Sequence, residues 1–104
     1  MIQVRKYTLY ATKEYQKWFN AESFKAQAQI VQRLEKIEWE SHFGDIKNIG
    51  DGVYELRWKN GRRVYYTLIP ESNLVLLLGG YKNDQKKDIC RAKKISNTYT
   101  IQNS

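Results

Sequence analysis

The stretch from Val53 to Gly80 constrains this chain most. Segments 53–59 (VYELRWK), 62–69 (RRVYYTLI) and 73–80 (NLVLLLGG) are strand-like, and they are separated by Asn60-Gly61 and by Pro70-Glu71-Ser72. The half before them has helical periodicity. Thr12 can cap a helix in which Tyr15, Trp18 and Phe19 form one apolar stripe, ending at Asn20. Ser23 can cap a second helix carrying Ile30, Leu34 and Ile37 and stopping before Gly44. The short connection predicts an antiparallel helical hairpin. Residues 3–10 (QVRKYTLY) predict a first strand, and Asn83 or Asp84 can cap a last helix with Ile89, Ala92 and Ile95 on one side.

The resulting order, β-α-α-β-β-β-α, predicts an α+β domain with the helices on one side of a mainly antiparallel sheet, the helical hairpin packed against it. No repeat or linker divides the chain, so residues 1–95 are expected to form a single domain. The polar tail 96–104 (SNTYTIQNS) is expected to fray or dock loosely.

A chain of 104 residues can bury one core, helped by three Trp, eight Tyr and three Phe. Its longest aliphatic run, Leu74 to Leu78, is far below the roughly 18 residues of a membrane span. The opening MIQVRKY lacks the apolar region of a signal peptide. Cys90 is the single cysteine and His42 the single histidine, which excludes an internal disulfide and the usual zinc sets. No metal, cofactor or membrane partner is expected, and a reducing cytoplasm is the expected location. Cys90, beside Ile89, reads as packing, and His42 as a solvated cation near a helix end.

The net charge is +7 and unevenly placed. Residues 1–52 hold eight Lys and Arg against seven Asp and Glu, whereas residues 53–104 hold ten against four. Clustered cations favour a polyanion partner through counterion release, although a solubilising surface has the same composition. The basic run Lys86, Lys87, Arg91, Lys93 and Lys94 reads as a solvated helix face.

Register decides what the strands present. A two-residue turn at Asn60-Gly61 would pair Lys59 with Arg62. A three-residue loop with left-handed Gly61 pairs Trp58 with Arg62 and Arg57 with Arg63. Only the second collects Tyr54, Leu56, Trp58, Val64, Tyr66 and Leu68 on one face and Glu55, Arg57, Arg63, Tyr65 and Thr67 on the other. Burying an unpaired guanidinium is costly, so this register is expected. It sets two arginines side by side on a face turned away from the helices. Such a pair needs Glu55, a bound phosphate or both to offset it.

The run Phe43-Gly44-Asp45-Ile46-Lys47, then Gly50-Asp51-Gly52-Val53-Tyr54-Glu55-Leu56-Arg57, then Arg63-Val64-Tyr65-Tyr66 resembles the phage-derived addiction-module killer proteins. These form the HigB-like branch of the RelE/ParE toxin superfamily. Leu76-Leu77-Leu78-Gly79-Gly80-Tyr81-Lys82, Gln85, Asp88-Ile89 and Ala92 extend the resemblance. It implies a bacterial toxin held inactive by a cognate antitoxin, often of helix-turn-helix type. It also implies metal-independent cleavage of mRNA on the ribosome in the RelE manner, or gyrase inhibition in the ParE manner. A degenerate module that only binds antitoxin is a third alternative.

Carried over by position, Arg57 and Arg63 match cations of the RNA-facing sheet, and Lys82 matches the cation ending the last strand. Lys47, Lys59, Arg62, Tyr65, Lys86 and Lys87 are the accompanying candidates for RNA contact, Tyr65 by stacking on a base. The sequence departs from the family in its short hairpin, in Tyr81 where an acid commonly precedes the lysine, and in lacking a tyrosine early in the last helix. Glu55 therefore stands as a candidate proton acceptor, with Tyr81 or Lys82 as candidate donor.

Overall fold

The computed structural model describes residues 2–102. In chain order they form β1 (Thr8–Ala11), α1 (Lys13–Asn20), α2 (Phe24–Glu40), β2 (Ile46–Gly50), β3 (Val53–Arg57), β4 (Arg62–Ile69), β5 (Asn73–Tyr81), a 3-10 turn (Lys82–Asp84) and α3 (Gln85–Gln102). The sheet order is β1-β5-β4-β3-β2, with β1 parallel to β5 and the other neighbours antiparallel. The architecture is α+β, as expected.

Side-chain hydroxyls start the first two helices. Thr12 Oγ1 accepts the Tyr15 amide at 3.0 Å and donates to the Leu77 carbonyl at 2.7 Å, so one residue caps α1 and fixes it to β5. Ser23 Oγ accepts the Ala26 amide at 3.1 Å, and α2 ends at left-handed Ser41. Tyr15, Ile30, Leu34 and Ile37 then pack on Leu56, Val64, Tyr66, Leu74 and Leu76.

The second face of the sheet is also covered. Val53, Tyr65, Val75, Leu77 and Leu78 pack with Ala92, Ile89, Ile95 and Tyr99 of α3. The expectation that the helices share one side is thus corrected: α1 and α2 lie on one face and α3 on the other. The physical signal is the unalternating run Leu74–Leu78, because a strand buried on both faces has no polar side. All five of its leucine and valine side chains are buried.

Four further expectations change. The first strand begins at Thr8, because the preceding residues serve α2 instead: Lys6 and Tyr7 amides donate to the Glu38 carbonyl, and Arg5 lies 5.3 Å over the Trp39 ring. An extra edge strand, β2, pairs with β3, turning through Gly50, Asp51 and Gly52, all at positive φ. α3 continues through Gln102, with Ser96 buried, where a tail from 96 to 104, frayed or loosely docked, was expected; 103–104 lie outside the described residues. Cys90 is exposed on α3, one residue off the packed stripe.

Candidate functional site

The β3–β4 hairpin takes the three-residue loop. Arg57 stands opposite Arg63, the Trp58 amide donates to the Arg62 carbonyl at 3.0 Å, and Gly61 has φ +99°. The predicted segregation of faces follows from this register, except that Leu68 is exposed.

Glu55 separates the two arginines electrostatically. Its fully buried carboxylate lies 3.6 Å from Arg57 Nε and 3.9 Å from Arg63 Nε. From α3, Gln85 Nε2 donates to both carboxylate oxygens, at 3.1 and 2.9 Å. Arg63 is 8% exposed and Arg57 37%. Arg63 Nη1 also donates to the carbonyls of Trp58 and Arg62. The pair is therefore unequal: Arg63 is a buried anchor, and Arg57 is the guanidinium open to a ligand.

Asp88 enters the same face from α3. A Cβ built on Gly80, which pairs with Arg63, would stand 2.1 Å from Asp88 Oδ2, so only glycine admits the carboxylate there. Burial raises the Asp88 pKa, Asp84 adds to the rise, and Arg91 and Lys87 oppose it. Lys82 is exposed where β5 ends; its amide donates to the Gly61 carbonyl and its side chain lies across Gly61. Lys47, exposed on β2, pairs with Glu55 across the ladder. Arg57, Lys82, Lys47 and Asp88 thus bring accessible cations and one carboxylate of raised proton affinity to one end of the sheet.

Glu55 lies at the centre of this end, enclosed by two arginines and Gln85, with no exposed surface. Several other candidates lie elsewhere. Tyr81, opposite Arg62 rather than Arg63, turns to the other face, where its hydroxyl donates to Glu22. Arg62 is buried there too, donating to Gln29 Oε1 at 3.3 Å, its guanidinium 5.8 Å from the centre of the Trp58 ring. Tyr65 is fully buried under α3 and has no face for a base; burial first, and Glu55 second, hold its phenol above the ordinary value. Lys59, Lys86, Lys87 and His42 are exposed, the first at the hairpin tip and the next two on α3.

Gln85 and Asp88 reach the same end of the sheet, although the sequence assigns neither a role. Their signal is helical phase: both fall on the stripe shared by Ile89 and Ala92, so they must face the sheet. Arg33 was missed as well. It donates to the Phe43, Asp45 and Arg57 carbonyls and lies 4.4 Å over the Trp58 ring, fixing the strand end that carries Arg57.

Comparison with known proteins follows the same outline. Residues 17–99 match the family of phage derived Gp49-like proteins. An uncharacterized protein of Haemophilus influenzae is 35% identical over 88 residues, covering 82% of this chain and 88% of its own length. Among solved structures, a mutant of the Escherichia coli toxin RelE in the free state aligns with TM-score 0.70 and 18% identity, over 86% of this chain and 96% of that one. The toxin-antitoxin complex RelBE2 of Mycobacterium tuberculosis aligns with TM-score 0.62 and 16% identity, over 73% of this chain and 98% of the other.

Proposed function

The chain belongs to the Gp49-like family of phage-derived proteins and has the RelE fold, and from that premise we propose that it is the toxin of a toxin-antitoxin pair that cleaves mRNA on the ribosome. A cognate antitoxin protein, of helix-turn-helix type, is its proposed inhibitor. The observation that carries this reading is the Arg57–Glu55–Arg63 arrangement, in which a buried carboxylate and a buried arginine orient an open guanidinium.

RNA supplies its own nucleophile, the 2′-hydroxyl beside the scissile phosphate. Attack forms a bond from O2′ to phosphorus and breaks the bond to O5′, leaving a 2′,3′-cyclic phosphate and a 5′-hydroxyl. Arg57 holds the non-bridging oxygens and meets the charge that grows on them. No guanidinium can accept the 2′-proton near neutral pH. We assign that step to Asp88, whose raised proton affinity is the direction a general base requires. Lys82 adds positive charge and supplies a proton to the departing O5′. The scheme uses no metal ion.

The test is controlled expression followed by mapping of message 5′-ends on translating ribosomes, with gyrase supercoiling assayed in parallel using purified protein. New ends within reading frames, absent with Arg57→Gln, are expected. Inhibited supercoiling without new ends would make the protein a gyrase poison instead.

A further inference from the structure

On the other side of the β3–β4 hairpin from Arg57 lies a cleft of about 490 Å³ between α2 and the hairpin tip. Its wall from α2 carries Gln29, Gln32, Arg33 and Lys36, and its wall from the hairpin carries Trp58, Lys59 and Asn60. None of these lining residues is acidic, which is unusual beside a helix containing Glu35, Glu38 and Glu40. Arg33 is committed to backbone carbonyls and to the Trp58 ring, and Gln29 accepts from Arg62. Asn60 Oδ1 accepts the Arg62 amide, which leaves its amide hydrogens directed elsewhere. The exposed Lys36, Lys59 and Gln32 are the groups left to meet a ligand.

We infer that this cleft is a subsite for single-stranded RNA, holding an unpaired nucleotide that flanks the cleaved bond. Lys36 and Lys59 meet its phosphates, the Gln32 amide meets a base edge as donor and acceptor, and the Asn60 amide hydrogens donate to another. The place fits: Lys59 and Asn60 sit beside Gly61, across which Lys82 lies, so a strand clamped at Arg57 and Lys82 continues over the hairpin tip into the cleft. The inference rests on the RNA reading above and extends it to the strand's path.

The test uses purified protein and fluorescein-labelled single-stranded RNA, with 2′-O-methyl substitution at every position to prevent cleavage, in a series of increasing length. Anisotropy is measured across a salt titration for wild type and for the Lys36→Gln/Lys59→Gln double variant. Loss of two phosphate contacts should lower the slope of log affinity against log salt by about 1.4 for the long oligonucleotides, and leave the shortest unchanged. Gln32→Ala should weaken the long oligonucleotides alone.

Equal slopes for both proteins, no binding by wild type, or an equal loss at every length would overturn the subsite. Message cleavage by wild type separates the two readings: if wild type leaves messages intact while the length-dependent slope persists, the cleavage reading falls and the RNA cleft stands; the converse result removes only the cleft.

Discussion

Glu55 does at the residue scale what neither arginine can do alone: it lets two like charges occupy one rung of a sheet. Because Arg63 is nearly enclosed, Arg63→Ala leaves the buried carboxylate short of a partner and should cost about 3 kcal/mol in urea unfolding. Arg57 is more open, so Arg57→Gln should cost under about 1 kcal/mol by the same measurement while slowing cleavage strongly. Equal losses of stability would mean that the two arginines are equivalent, against the anchor-and-clamp assignment. Alternation in VYELRWK and RRVYYTLI was enough to place Glu55, Arg57 and Arg63 on one face. It was not enough to say which of them is accessible, since that depends on Gln85, thirty residues beyond Glu55 in the chain.

At the scale of elements, β5 is held between α1 and α3, and adjacent glycines are the contact points. A Cβ on Gly79 would stand 2.2 Å from the Trp18 ring, so Gly79→Ala should cost about 2 kcal/mol, read by thermal unfolding. α3 carries a pH dependence through Asp88. Burial raises its pKa, so the folded state holds that proton more tightly than the unfolded chain does. This contribution is greatest in acid and is lost as pH rises from the ordinary aspartate range through the raised folded value. Asp88→Asn should therefore be more stable than wild type at neutral pH, converge with it in acid, and still lose cleavage. Unfolding curves at several pH values check the first two, and the third separates base from bystander. The helices with hydroxyl caps were legible, as was the central hairpin. β2 was not, because in an edge strand of five residues Ile49 is the one side chain packed inward, too little to create alternation, and the far end of α3 was hidden by its polar composition.

For the molecule as a whole, two apolar layers bury phenols on both sides of the sheet. Burial raises the pKa of Tyr15, Tyr65 and Tyr66, so each keeps its proton better when folded. Stability should then fall as pH rises past the ordinary tyrosine value of about 10, as urea titrations in alkaline buffers would record; a flat profile would contradict the buried placement. The cations are distributed with the same logic: Arg33 and Arg62 are spent inside the fold, while Arg57, Lys82 and Lys47 are left outside. The charge asymmetry between the halves fits a polyanion partner or a solubilising surface equally, and only the folded arrangement separates structural arginines from available ones. The most direct measurement is single-turnover cleavage of a message positioned in the decoding site of purified ribosomes. Wild type should produce a fragment ending in a 2′,3′-cyclic phosphate, and Arg57→Gln should slow its appearance by about a hundredfold without loss of folding. An intact message with wild type, or an unchanged rate with Arg57→Gln, would contradict the account.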